Sequence, residues 1–434
     1  MSDPNIAIVG GGPAGFFAAI ACAEASPRAR ITVLEKGPRF LDKVRISGGG
    51  RCNVTHACFD PRTLADHYPR GGSALIGPFH QFNPNHTLGW FAKHGVPLKT
   101  ESDGRLFPVT DTSATIVRCL IETATHAGVN LRLQSAIENI TRQSHGAFLL
   151  QLSNNRTLEC DRLLLATGGC RSGSAGHLAT SLGHTLKPPV PSLFAFRLGF
   201  SWLQDLAGVS VPRVAVSVPN TDLCECGPIL LTHSGISGPA ILRLSAWGAP
   251  ILNELGYRFP LRLNWFPDLT EADIARHLDT HRQQNGARQL ATAPLPPLPS
   301  RLWRQLLTDT GLPLDLRWAQ FTRASRQNLL TQLHHTQWNV EGRSLNQDEF
   351  VTCGGVNLNE VNFKTMESRI CPRLFFAGEL LDIDGLTGGF NFQAAWTTGW
   401  IAGRSMAISV SRSPASNHPS HEDLFQGVDP SGTV

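Results

Sequence analysis

The chain has 434 residues, of which 41% are hydrophobic and 17% charged, and it carries a formal net charge of +4. That length exceeds one ordinary core and predicts two or three domains. The composition excludes a fibrous or wholly disordered chain, and the small charge admits an acidic partner without requiring one. The basic residues are lopsided, 32 arginines against 6 lysines. Genome composition or a phosphate-binding role for arginine's planar fork would each produce that bias.

In chain order, Asn5 to Val9 is a short β-rich run followed at once by GGGPAG. Phe16 to Ala25 has the small, apolar character of a buried helix, and Arg30 to Gly37 reads as the next strand, completing a βαβ unit. A helix is predicted from Asp111 to Gly128, with apolar Ile116, Leu120 and Ile121 and a terminating glycine. Strand-like runs follow, the last being LLLATGG (Leu163 to Gly169), as befits a buried parallel strand. After KPPVPS (Lys187 to Ser192), alternating strands such as Val211 to Pro219 predict an antiparallel unit. Thr270 and Asp273 open an amphipathic helix with a capping box. PLPPLP (Pro294 to Pro299) is a stiff connector, and helical patterns resume from Ser300 to about Gln337. β texture returns from Asp348, where the chain rejoins the first domain. The serine- and proline-rich tail from Ser411 is expected to be disordered.

Ten cysteines without a C-x-x-C pair predict a reducing compartment, not a disulfide framework, and no metal site is expected. Cys224 and Cys226, one residue apart, suit neither a common metal loop nor an easy disulfide. No stretch approaches the roughly 20 apolar residues that span a bilayer, and the N-terminus lacks a signal peptide's basic region. A soluble, cytoplasmic protein without a membrane partner is expected.

Gly10-x-Gly12-x-x-Gly15 lies between strand and helix, and Glu35 closes the second strand 20 residues later. Gly10 would make the tight turn, Gly12 would let a pyrophosphate approach, and Gly15 would let helix and strand pack closely, with Pro13 and Ala14 between them. The helix start favours phosphate charge. Glu35, with Lys36 beside it, would meet the adenosine ribose. This fingerprint alone does not separate FAD from NAD. The chain, however, leaves the second strand into a glycine-rich loop, VRISGGGRCNVTH (Val44 to His56), where a nicotinamide enzyme usually continues through regular βαβ units. The loop is expected to run across bound FAD, with Ser47, Gly48, Gly49 and Gly50 letting the main chain touch the cofactor, and with Arg51, Cys52 and Asn53 lining the flavin.

LLLATGG and the late LFFAGELLDIDGLTGGFN resemble the second and third FAD contacts of glutathione-reductase-like flavoproteins. That resemblance assigns cofactor contacts to Ala166, Thr167, Gly168, Gly378, Glu379, Gly388, Gly389, Phe390 and Asn391. Glu379 would hold the ribityl chain, ahead of Asp382 and Asp384.

GGGPAG, RISGGGRCNVT, DGRLFP (Asp103 to Pro108), THSGISGPAIL (Thr232 to Leu242), VTCGGV (Val351 to Val356) and FFAGELLDIDGLTGGFN together resemble the BaiN/RdsA family of flavoproteins, the aminoacetone-oxidase-like FAD-binding family. The likeness covers residues 5 to about 405. It implies an α/β, glutathione-reductase-like Rossmann FAD domain interrupted by a β-barrel-like insert and a small helical insert. The expected divisions are 1–190 and 346–410 for the FAD domain, 191–267 for the barrel, 268–345 for the helices and 411–434 for the tail. Cys353 departs from the family pattern, which would have a small non-thiol residue there.

The family implies FAD- and NAD(P)H-dependent reduction of an activated carbon–carbon double bond, with NAD(P)H as transient reductant. The substrates it suggests are a uridine of large-subunit ribosomal RNA, giving dihydrouridine, and steroid-type bile acid intermediates. Hydride delivery to one carbon requires a proton at the other, from a group opposite the flavin. Cys52 is the first candidate donor and His233 the second, with Thr232 or Ser234 binding a carbonyl. Arg51 and Arg105 would polarise the substrate oxygen. Alternatively, Cys52 is a small buried residue, Arg51 an ion partner and His233 a loop histidine. No second dinucleotide fingerprint appears for a separate NAD(P)H domain. Arg276 to Arg343 holds nine arginines and four acids, suited to RNA phosphates or to a solvated face. Two other readings are a small-molecule oxidase or reductase for steroids, amines or quinones, and a non-catalytic, flavin-stabilised binding module. The sequence leaves the oligomeric state open.

Overall fold

The computed structural model describes residues 3–170, 174–344 and 351–408; the tail from Ser411 lies outside them. β1 (Asn5–Val9) turns into α1 (Pro13–Ala25) and returns as β2 (Arg30–Leu34). Short helices and a small three-stranded sheet (Thr55–His56, Leu98–Thr100, Arg105–Pro108) precede α2 (Ser113–His126), capped by Thr112, and β3 (Asn130–Arg132). A three-stranded meander leads to β4 (Arg162–Leu165).

The next unit contains β5 (Phe196–Leu198), β6 (Ser210–Ser217), β7 (Cys224–Thr232), β8 (Gly235–Ser237) and β9 (Phe259–Asn264). Then come α3 (Glu271–Asn285), α4 (Ser300–Asp309), α5 (Arg323–His335) and β10 (Thr336–Arg343). β11 (Leu374–Phe376) and α6 (Phe390–Ala407) return to the first unit.

The main sheet places β11, β4, β1, β2 and β3 side by side, all parallel, with a short antiparallel edge beyond β11. Register aligns Val9 with both Leu34 and Leu165, and Leu165 with Phe376. The carboxyl ends of four strands therefore stop at one edge, the place where open α/β sheets bind ligands. Apart from Asn5 and Arg162, β1, β4 and β11 are buried, in one core with α1, α6 and Phe148 and Leu150 of the meander, whereas the edge strand β3 leaves Asn130 and Arg132 exposed. α1 is buried all round from Ala14 to Ala23, lying between the sheet and α6. Glycines allow this close packing: a Cβ at Gly399 or Gly403 would lie 2.4 Å from Ala14 O or 2.2 Å from Ala18 O. The two helices from opposite ends of the chain thus touch along their backbones.

The second unit is a closed six-stranded barrel in the order β5-β8-β7-β6-β9-β10. Its last strand lies within the segment expected to be helical, so the division at 267/268 does not separate a barrel from a helical domain. β10 alternates buried Thr336, Trp338 and Val340 with exposed Gln337, Asn339 and Glu341, which is the period of a strand facing a core on one side. α3 to α5 are an excursion between two neighbouring barrel strands. Leu278, Leu306, Trp318 and Leu333 of the excursion share one core with Leu231, Leu261 and Leu263 of the barrel. The capping box of Thr270 and Asp273 forms as expected. The helical run from Ser300 breaks after Asp309, where Gly311 takes a φ of 72° and Pro313 follows.

An antiparallel ribbon of Leu186–Ser192 and Val351–Val356 joins the units. Arg70 adds a polar clamp. It forks onto the fully buried Asp384 carboxylate and donates to Ala246 O at 2.6 Å and to Ser192 Oγ at 3.2 Å.

Candidate functional site

The site is built at the carboxyl edge of the main sheet. Gly10 leaves β1 with a φ of 114°, and a Cβ there would lie 2.2 Å from Ala166 O. Gly15 is packed as tightly, its would-be Cβ 2.0 Å from Gly10 O, whereas a Cβ at Gly12 meets nothing within 4 Å. The fingerprint thus has two glycines that close the turn and one that leaves space. Pro13 opens α1 and no side chain caps it, so the start of the helix is left for an anion. Glu35 stands at the end of β2, accepting from Gly11 N and Gly37 N, each at 2.8 Å. Lys36 is exposed beside it.

The loop after β2 crosses this edge. Gly48, Gly49 and Gly50 form a left-handed run with φ of 58°, 66° and 84°; Arg51 returns to −93°, and Cys52 is left-handed again at 61°. Only glycine adopts such a run cheaply. The loop is fastened to α6 at several points. The Asn53 carboxamide, with its oxygen toward α6, accepts from Gly389 N at 3.0 Å and donates to Thr55 O at 3.1 Å. Thr55 Oγ1 donates to Gln393 at 2.6 Å, and Trp396 Nε1 donates to Val54 O at 2.9 Å. The first loop and the last helix thereby form one wall.

The remaining expected contacts fall on the same edge. Ala166, Thr167 and Gly168 follow β4, and Ala377 N donates to Leu165 O at 3.2 Å. Gly378 N donates to Thr398 Oγ1 at 2.9 Å. Glu379 pairs with Lys43. Gly388 and Gly389 both have positive φ ahead of α6. The Phe390 ring is buried, and the Asn391 carboxamide exchanges two hydrogen bonds of 2.8 Å with the Gly385 backbone.

The expected catalytic residues fare differently. Cys52 is fully buried, and burial pushes its thiol up to about 12 against the lowering effect of Ser47. A side chain with no accessible surface before any ligand binds offers nothing for a flavin or substrate to touch. The expectation of Cys52 as proton donor is therefore corrected to a core residue that closes the loop. Arg51 is held by ions. Its Nε donates to Asp111 at 2.9 Å, a terminal nitrogen pairs with Glu101, and its guanidinium lies 4.1 Å above the Phe107 ring. Arg105 pairs with Asp103 at 2.7 Å. His233 is exposed on the turn between β7 and β8, on the barrel unit and away in sequence from the loop.

His56 was missed, although it ends the glycine-rich loop. Its ring stacks on Phe390 at 4.8 Å, and His67 stacks on the same ring at 4.3 Å. Nε2 lies 3.1 Å from Asp103 O, which fixes the proton there and leaves Nδ1 as an acceptor. Burial lowers this imidazole's pKa, against the raising effect of Asp103 O. The cue in the sequence was position alone: an imidazole directly after the motif.

Whether FAD suits these residues is tested by two orphaned atoms. Thr167 Oγ1 and His56 Nδ1 are buried without a hydrogen-bond partner, one after β4 and the other beside the Gly388 turn, where His56 Cδ2 would be 3.4 Å from an added Cβ. Together with the open space at Gly12 and the acid at the end of β2, the edge fits a dinucleotide with polar atoms along its length.

Comparison with known proteins decides the family. The HI0933-like protein Rossmann domain matches residues 4–405. The chain belongs to the HI0933-like family. This is an FAD-dependent oxidoreductase family with the Rossmann FAD-binding fold and a six-stranded barrel insert, as the resemblance implied. One relative is the ribosomal RNA dihydrouridine synthase of Escherichia coli K12, 31% identical over 415 residues that cover 93% of this chain and 98% of the relative. Another is the 3-dehydro-bile acid delta(4,6)-reductase of Clostridium scindens, 30% identical over 419 residues that cover 93% and 99%. The fold is also that of the 3-ketosteroid-delta4-(5alpha)-dehydrogenase of Rhodococcus jostii RHA1, with a TM-score of 0.50, 15% identity and coverage of 94% and 98%. Among the described residues, no helix is long and apolar enough to cross a membrane.

Proposed function

We propose that the protein uses FAD to reduce an activated carbon–carbon double bond, that NAD(P)H supplies the electrons, and that the substrate is a uridine of ribosomal RNA, converted to dihydrouridine. The observation that carries the reading is likeness along nearly the whole chain, at 31% and 30%, to two relatives whose named products and reactions both involve saturation of a double bond. The arginine-rich excursion favours RNA over a steroid: Arg276, Arg282, Arg288, Arg301, Arg304 and Arg317 are all exposed on it, and phosphates are what such a surface binds.

Bound FAD would supply the hydride chemistry. The protein's share is positioning and proton supply. The loop 47–53, the turn 10–15 and the residues 378–379 and 388–391 hold the cofactor, with Thr167 Oγ1 and His56 Nδ1 gaining their missing partners from it or from the substrate. Arg51, fixed by Glu101 and Asp111, keeps the loop in place. With the Cys52 thiol sealed, proton delivery in this reading belongs to the exposed His233. Exchange of His233 for asparagine should keep FAD and lose turnover.

The test is mass spectrometry of ribosomal RNA nucleosides from cells with and without the protein. Dihydrouridine that disappears with the protein supports the reading. Dihydrouridine that is unchanged while a steroid-type enone is reduced by the purified protein transfers it to the small-molecule substrate.

A further inference from the structure

We propose that Glu271, His334 and His335 form a binding site for one divalent transition-metal ion, Zn2+ being the best fit, at the neck where the helical excursion leaves and re-enters the barrel. The sequence offered no hint of it, since Glu271 and His335 are 64 residues apart.

The geometry is that of a ligand set. His334 Nδ1 and His335 Nε2 are 3.1 Å apart, His335 Nε2 and Glu271 Oε1 3.2 Å, and His334 Nδ1 and the same Oε1 3.7 Å. Zinc bonds of about 2.0–2.2 Å in a tetrahedron put neighbouring ligand atoms roughly 3.3 Å apart. The three edges scatter around that length, leaving a fourth corner toward solvent, where Glu271 and His335 are exposed.

Protons do not satisfy the same arrangement. An imidazole nitrogen has one in-plane position, holding either a hydrogen or a lone pair. If His334 Nδ1 donates to His335 Nε2, the latter's lone pair is spent and it confronts the Glu271 oxygen as acceptor against acceptor. If His335 Nε2 donates to Glu271, His334 Nδ1 can accept only a share of that same hydrogen, and its lone pair still faces the Glu271 oxygen at 3.7 Å. One contact of the triangle is always unmet. A cation at the centre meets all three atoms at once, and two imidazoles with a carboxylate are the donors zinc takes.

The position suggests what the ion does. Glu271 is the first residue of α3, soon after the chain leaves β9, and His334 and His335 end α5 directly before β10. A metal would tie the outgoing chain to the incoming one, beside the bond of 2.8 Å from Trp265 Nε1 to Thr336 Oγ1 that already crosses the neck. The end of α5 is also where the helix dipole favours a cation.

The experiment uses tag-free, full-length protein stripped with a chelator and titrated with Zn2+ by calorimetry, alongside Glu271→Ala, His335→Ala and the control His277→Ala, whose side chain is exposed on α3 outside the cluster. The expected result is one ion bound and a higher melting temperature in the wild type and the control, with affinity reduced at least about tenfold in both cluster variants. No binding by the wild type, or unchanged binding by the cluster variants, overturns the proposal. A measurement free of any folding question is the spectrum of Co2+ in the wild type. Tetrahedral d–d bands without thiolate charge transfer support the site; thiolate charge transfer assigns the ion to cysteine and overturns it.

Discussion

Two alanine substitutions three residues apart should fail in different ways. At Gly15 a methyl would sit 2.0 Å from Gly10 O, against the 3.4 Å at which ordinary contact begins. The helix must withdraw by more than an ångström, and overpacking of this kind costs about 1–3 kcal/mol. At Gly12 a methyl meets nothing within 4 Å, and the residue's φ of −93° and ψ of −172° are open to alanine. Loss of glycine from an uncapped helix start costs less than about 1 kcal/mol. The space is nevertheless the approach to the start of α1. Losing one hydrogen bond to a charged phosphate, about 1.5–3 kcal/mol, weakens FAD binding roughly 10- to 100-fold. Urea denaturation of the apoprotein and fluorescence titration with FAD separate the two. Gly15→Ala should lose apoprotein stability, and Gly12→Ala should keep it and lose FAD. If Gly12→Ala binds FAD like the wild type, or unfolds like Gly15→Ala, the cradle is not where the geometry puts it.

Cys52→Ala should retain both FAD and turnover, and in the native protein a thiol reagent should modify the exposed Cys224 long before Cys52; loss of turnover with FAD retained would restore the thiol to the mechanism. Asp384→Ala leaves the partly buried Arg70 guanidinium without its counter-charge and should destabilise the fold by about 3 kcal/mol in urea melts, a cost that a change below about 1 kcal/mol would disprove. Burial lowers the pKa of both His56 and His184. The unfolded chain therefore takes up protons first as pH falls, so stability should decline below about pH 6.5 and level off once the folded imidazoles are protonated. Exchange of His184 for glutamine should flatten that slope; an unchanged slope would remove it from the account.

What could be read from the sequence was what lies close together along it. Gly10, Gly12, Gly15 and Glu35 follow one strand–turn–helix–strand unit, and their spacing fixes their roles before any packing is known. Cys52 could not be placed that way. Its burial depends on a left-handed backbone conformation and on a core to which residues far along the chain, such as Trp396, contribute. β10 was hidden because a six-residue alternation follows directly on a helix ending in two histidines. The barrel's closure by that strand is a relation between residues more than a hundred apart. His56 lay within the motif yet showed its role only once Phe390 was stacked upon it.

The central claim is that a cofactor held between the first loop and the last helix passes reducing equivalents to a double bond. Its most direct test is a single turnover without oxygen: the FAD-loaded protein is reduced, then mixed with ribosomal RNA from cells lacking the protein. The account expects the yellow flavin absorbance to return in step with the gain of two hydrogens by a uridine. Reduced protein that keeps its FAD but is reoxidised by neither this RNA nor a conjugated enone would contradict it.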